Sequence, residues 1–284
     1  MTTPLNPYIS WFDADFDVEK SSHYRMTIQF SLDGFSYALL YLQSNALVGL
    51  ENFQSEALTD SVEAFHALER ALAAKGLDGK GPDAVTCLID NRCNTLVPAD
   101  LFDEHEATGY LDFAFQASGD QIILNETLGT ERCVNVFAMS KSLYQMIKAK
   151  WEKARIRHTS SVFLDSVVQY APEGRAAFVN VKSRNFDLAI VNEGRLDFFN
   201  NFRFNTKDDF AYFLIFALEQ NHFSYSEHPV CFSGLILPES NIIELCKRYI
   251  KYLLFVEDRA EVPVSEALAE VPFQYYFIHY QALR

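Results

Sequence analysis

Positive charge is the first thing this sequence has little of. Its 24 Lys and Arg stand against 38 Asp and Glu, a formal net charge of −14. Non-specific binding to nucleic acid or anionic lipid needs cations that displace counterions from phosphates, so this balance argues against both. The one concentration of bases, Lys148, Lys150, Lys153, Arg155 and Arg157, reads as a solvated helix face. Long apolar runs are also missing, so no membrane insertion is expected. Met1 to Asp13 has neither the basic nor the apolar region of a secretion signal. The five cysteines (Cys87, Cys93, Cys133, Cys231, Cys246) are odd in number, widely spaced and without a Cys-x-x-Cys pair. That excludes the usual zinc and dithiol patterns and fits buried free thiols in a reducing cytoplasm. The seven histidines form no His-Glu-x-x-His, and neither a Gly-x-Ser-x-Gly elbow nor a Walker phosphate loop occurs.

Aromatic residues, by contrast, are plentiful: 25 Phe and 14 Tyr in 284 residues that are 49% hydrophobic. Such a composition suits well-filled β-sheet cores, and the length suits two domains. Residues 23–53 read as three strands. Tyr24, Met26, Ile28 and Phe30 alternate with polar partners, Asp33-Gly34 turns into Phe35–Leu42, and Gln43-Ser44-Asn45 leads to Ala46–Phe53. Thr59 or Asp60 caps a helix through Val62, Phe65, Leu68 and Leu72, ended by Gly76 and Gly79, and Ala84–Ile89 is a buried strand. The second half follows the same plan. Ala176–Val181, Phe186–Val191 and Leu196–Phe204 are strands, Thr206 caps a helix, and Val230–Phe232 is buried. A helix from about Pro238 to Tyr252 completes it. Strand, turn, strand, turn, strand, cap, helix and strand in one order twice points to an internal duplication. Between the halves a helix is expected over Pro98–Phe115, strands over Gln121–Glu126 and Cys133–Ala138, and a Ser140-capped helix over Lys141–Ala154. The lobe boundary falls near Arg157 to Ser166, giving domains 1–158 and 159–284.

Three antiparallel strands followed by helix, strand, helix, strand, helix is the ribonuclease H-like unit. Two in tandem resemble the α/β actin-like ATPase fold of actin, sugar kinases and heat-shock chaperones, with mixed sheets that each open on a three-stranded antiparallel meander. The Met26–Leu40 hairpin and the stretch Asn94-Thr95-Leu96-Val97-Pro98-Ala99-Asp100-Leu101-Phe102 are similar to a domain family of unknown function from bacteria of the Bacteroides group, within a degenerate branch near the pilus-assembly actin homologues. The resemblance implies a nucleotide site built on two hairpins that start Asp-x-Gly, where the carboxylate holds water on Mg²⁺ and glycine admits phosphates to backbone N–H groups. Here Leu32 sits at the first motif Asp, with Asp33 one residue displaced, while Gly34 and Ser36 survive. At the second hairpin Asn180 replaces the metal-side Asp, and Lys182, Ser183 and Arg184 fill the three glycine positions. The adenosine-side Gly-Gly is reduced to Ser233-Gly234.

Gly34, Ser36, Lys182, Ser183, Arg184 and Gly234 are therefore the candidate residues of a vestigial cleft. No cofactor is expected, and Mg-ATP is disfavoured. The simpler reading makes Asp33-Gly34 a hairpin turn and Ser233-Gly234 a strand end; Lys182 and Arg184 remain able to neutralise an anion without a metal. Function on this reading is non-catalytic: a pseudo-ATPase that binds a protein partner or serves as a scaffold. The alternative is a kinase- or ATPase-type enzyme with an unusual site, because fold alone does not decide function. Asp103, Glu104, His105 and Glu106 read as the polar face of a short helix, and Phe198–Phe204 as a strand feeding two sides of a sheet. The dense aromatics of Val271–Leu283 are either a final helix packed on the body or an exposed interface.

Overall fold

The computed structural model describes residues 6–14, 16–54, 60–78, 81–82, 84–115, 119–129, 132–170, 174–257 and 271–284. Thr59, Gly79 and the charged stretch 258–270 lie outside them. The chain forms two compact units, the first reaching to Ser161 and taking in Ala282–Arg284, the second running from Val162 and taking in Val271–Gln281.

In the first unit β1 (Ile9–Phe12), β2 (Tyr24–Ser31), β3 (Gly34–Tyr41) and β4 (Ala46–Gln54) precede α1 (Ser61–Ala74) and β5 (Ala84–Ile89). The alternation of β2 puts Tyr24, Met26, Ile28 and Phe30 into one core with Phe65, Leu68 and Leu72 of α1. α1 starts where it does because the Asp60 carboxylate accepts the backbone N–H groups of Val62 and Glu63, both at 2.8 Å. An insertion follows: β6 (Asn94–Pro98), α2 (Ala107–Ala114), β7 (Gln121–Thr127), β8 (Cys133–Ser140) and α3 (Lys141–Lys150). Its small sheet, ordered β6-β8-β7, closes over Val97, Leu111, Val134, Val136 and Ala138. Then come β9 (Arg155–His158) and α4 (Thr159–Tyr170), which carries the chain across the division. The large sheet runs β1-β4-β3-β2-β5-β9, with β5 parallel to β2 and β9 parallel to β5.

The second unit repeats the scheme in β10 (Arg175–Val181), β11 (Asn185–Asn192), β12 (Arg195–Arg203), α5 (Lys207–Gln220), β13 (Val230–Gly234), α6 (Asn241–Cys246) and β14 (Leu253–Phe255), followed by α7 (Phe273–Leu283). Its order, β12-β11-β10-β13-β14, is that of β4-β3-β2-β5-β9. Even the register irregularity recurs, between Leu39 and Leu40 in one meander and between Ile190 and Val191 in the other. Thr206 and Asp209 form a reciprocal capping box at α5. Each unit therefore has the mixed sheet, opening on an antiparallel meander, that the pattern predicts.

Two expectations need correction, and one open choice is decided. Pro98 does not open a helix: Asn94–Pro98 is a strand paired with β8, and proline at its end gives up no needed ladder bond. Only Ala107–Ala114 of the expected Pro98–Phe115 helix is α-helical. The helix expected over Pro238–Tyr252 is α6 alone, since the apolar residues that follow form the fifth strand, with Val230 opposite Leu253. Of the two readings of the C-terminal aromatics, the final packed helix is the one the structure has. Tyr276, Phe277, Ile278 and Tyr280 of α7 are buried, and Phe277 meets the ring of Tyr170 at 6.5 Å.

Candidate functional site

The two hairpins that the resemblance singles out lie one in each unit. In the first, Ser31 pairs with Gly34 across the two-residue apex Leu32-Asp33. The Ser31 hydroxyl contacts both the Asp33 carboxylate at 3.0 Å and the Gly34 carbonyl at 3.1 Å, so Asp33 is folded back on its own turn. Leu32, at the motif's carboxylate position, is 75% exposed. Gly34 is glycine for an internal reason: a Cβ there would strike the Phe53 carbonyl oxygen of β4. Ser36 is buried between Gln29 and Asn52 on the flanking strands.

Sequence reasoning missed the polar cluster at the carboxyl ends of β2, β5 and β9. Gln29 Nε2 donates to Asp90 Oδ2 at 3.1 Å, and Thr159 Oγ1 to Asp90 Oδ1 at 3.0 Å. Nearby, Asn94 Nδ2 donates to Asn135 Oδ1 at 3.1 Å, and the buried Asn135 donates to Ser161 Oγ at 2.7 Å. These partners are 26 to 69 positions apart along the chain, so no local motif marks them. The only sequence cue is Asp90-Asn91 directly after the apolar run of β5.

In the second unit the corresponding hairpin is crowded. The Lys182 ammonium lies 2.9 Å from Asp187 Oδ2, with side-chain exposures of 10% and 1%. The geometry is that of an ion pair rather than an aligned hydrogen bond. Asn201 Nδ2 donates to the other Asp187 oxygen at 2.6 Å, and Asn185 Nδ2 to Asn201 Oδ1 at 3.3 Å. Asn180, opposite Asp187, accepts the Ser233 hydroxyl at 3.2 Å. Ser183 and Arg184 are exposed at the apex. Gly234 has φ +87°, and a Cβ there would run into the Val181 carbonyl oxygen. The fold thus brings Lys182, Ser183, Arg184 and Gly234 to one end of the second sheet, and places Gly34 and Ser36 in the other unit.

Elsewhere, burial pushes the Cys87 and Cys246 thiols up to about 12, which makes them poor nucleophiles. Among the described residues no group of three or more His, Cys, Asp or Glu is placed to hold a metal ion. None of the described helices is long and apolar enough to cross a membrane.

Solved structures define the class. A protein of Bacteroides thetaiotaomicron, described as having an actin-like ATPase fold and unknown function, superposes with a TM-score of 0.76 at 18% identity, over 85% of this chain and 93% of that one. A chain from the PilM–PilN type IV pilus biogenesis complex gives a TM-score of 0.64 at 11% identity, over 91% and 97%. The ethanolamine utilization protein EutJ of Carboxydothermus hydrogenoformans gives 0.50 at 8%, over 92% and 88%. The protein therefore has the actin-like ATPase fold. Residues 13–253 match the family described as "Protein of unknown function (DUF3822)", and the chain belongs to that family. No curated protein matches it in sequence.

Proposed function

We propose that this protein is a cytoplasmic, non-catalytic binding or scaffold protein that uses the actin-like fold without Mg-ATP and acts on a protein partner. One observation carries the reading: the cation at the second hairpin, Lys182, is paired with the buried carboxylate of Asp187. Several others agree with it. Side chains stand at all three glycine positions of that hairpin, and the first offers an exposed leucine where a carboxylate would hold metal-bound water. Glycine persists at 34 and 234 because neighbouring carbonyls leave no room for a Cβ, so its presence needs no phosphate. These residues do not fit Mg-ATP. The partner is expected to be protein, because the net charge opposes nucleic acid and because PilM, a structural neighbour, is found in a complex with PilN. Five free thiols agree with a reducing compartment. Phosphate release from ATP with Mg²⁺ tests the reading. The rate should equal that of a Lys182→Ala, Asn180→Ala double variant; a wild-type rate well above the variant's would establish an ATPase.

A further inference from the structure

β12 is the longest strand at a sheet edge among the described residues: nine residues, paired on one side with β11 and on the other with no described strand. Its counterpart β4 holds the same place in the same strand order but is covered. β1 lies along it antiparallel, from Ile9 opposite Asn52 to Phe12 opposite Gly49. Side chains fasten that cover. Ser10 Oγ donates to Glu51 Oε1 at 2.6 Å, while the Lys75 ammonium lies 3.2 Å from the same carboxylate oxygen and 4.2 Å over the Phe12 ring. One chain thus displays what an edge of this kind accepts, a short extended segment running antiparallel.

The duplication allows a residue-by-residue comparison of the two edges. Phe35 faces Phe53 as Phe186 faces Phe202, and Tyr37 faces Glu51 as Leu188 faces Asn200. On this alignment Asn201 is the counterpart of Asn52, whose carbonyl receives the Tyr8 N–H of the covering segment at 2.7 Å. Among the described residues no strand pairs with β12 at Asn201, and its backbone N–H donates to the side-chain oxygen of Asn200 at 2.8 Å. The acidic anchor Glu51 has become the neutral Asn200, and Ala46 and Gln54 at the two ends have become Arg195 and Arg203, both exposed. Beside the edge Phe202 stacks on Phe213 at 6.1 Å, and Phe213 meets the exposed Tyr212 at 5.4 Å. The α1 counterpart of Tyr212, counted from the caps Asp60 and Thr206, is His66.

We infer that the edge of β12 docks an extended segment of a partner protein, antiparallel, with acidic residues at both ends and apolar residues between. The two arginines supply charge complementarity on a chain that is otherwise strongly acidic, and the aromatic strip supplies apolar contact. A second copy of this chain is a poorer occupant, since pairing β12 with itself about a two-fold through Phe199 sets Arg195 against Arg203 at both ends. The inference rests on the protein-binding reading above and names the kind of partner.

The test uses the full chain and two nine-residue peptides with the same alternating Val/Thr centre, one ending in Glu at both ends and one in Lys. Fluorescence anisotropy measures binding, and hydrogen exchange locates it. The Glu-ended peptide should bind about tenfold tighter, the swing expected when two cross-strand pairs turn from attraction to repulsion. It should also slow exchange in Phe199–Arg203. Arg195→Glu with Arg203→Glu should reverse the preference, and Arg195→Gln with Arg203→Gln should remove it. Equal affinities, no binding, or protection confined to other segments would overturn the inference and leave the arginines as guards against edge pairing. Concentration-dependent protection of β12 without peptide would overturn it in favour of a second copy. Phosphate release from ATP does not involve β12, so the functional reading and this inference fail separately.

Discussion

Removing the ammonium from the Lys182–Asp187 pair tests whether that lysine is committed to the fold. The separation is 2.9 Å, and neither side chain can return to water without a shift, at 10% and 1% exposure. With an effective dielectric constant near 20, the Coulomb attraction at this distance is about 6 kcal/mol, and desolvation of both charges offsets much of it. What a single substitution exposes is different: Lys182→Met leaves the Asp187 carboxylate buried with Asn201 as its neutral donor. The expected loss is about 3 kcal/mol, the range for a broken buried pair with one partner near the surface. Asp187→Asn should cost less, about 2 kcal/mol, because Lys182 is the less buried of the two side chains, 10% exposed against 1%, and has the shorter way to water. Lys182→Met with Asp187→Asn should cost about 3 kcal/mol, less than the sum of the two single losses, giving a coupling of about 2 kcal/mol. Urea unfolding followed by far-UV circular dichroism is the assay, since both tryptophans, Trp11 and Trp151, lie in the first unit and do not report on the second. Single substitutions within about 0.5 kcal/mol of wild type, and additive, would refute the reasoning. They would show a lysine free to hold an anion.

Gly234→Ala should destabilise the second unit by about 3 kcal/mol, because φ +87° and the Val181 carbonyl both oppose a Cβ; the urea midpoint reads this. Asp60→Ala removes the acceptor of two N–H groups at the start of α1 and should cost about 1 kcal/mol, while Asp60→Asn should cost less. Burial holds the His279 imidazole down to about 4, below its unfolded value of about 6.5. Between those values the unfolded chain binds a proton that the native state refuses, so stability falls as pH drops through 6.5 and goes on falling to about 4. The contribution at pH 5 is a loss of about 2 kcal/mol relative to pH 7.5. Melting curves of His279→Gln should show a shallower decline than wild type over that window, and parallel declines would refute the assignment.

Much of the fold was legible because the meanders bury alternate residues. Tyr24, Met26, Ile28 and Phe30 mark β2 from period alone, and Thr206 marks the start of α5 as its cap. β1 was not legible. Ile9-Ser10-Trp11-Phe12 is four residues long without alternation, and it is a strand because Glu51 and Lys75, distant in sequence, fasten it. The Pro98 helix failed for the opposite reason: a favourable first-turn proline lost to pairing with β8, a tertiary term that spacing does not carry. At the candidate site, the substitutions at 32, 180 and 182–184 were visible in the sequence. Their consequence was not, since Asp187 and Asn201 come to Lys182 and Asn180 only through strand register. The Gln29–Asp90–Thr159 cluster joins three strand ends and has no signature that a linear reading can find.

Isothermal titration calorimetry with ATP, in the presence and absence of Mg²⁺, tests the central claim most directly. With Lys182 held by Asp187 and with side chains at the glycine positions of the second hairpin, no metal-dependent heat of binding is expected at micromolar nucleotide. A Mg²⁺-dependent isotherm in the micromolar range, lost in Lys182→Ala, would contradict the account and make this chain a working member of the ATPase fold.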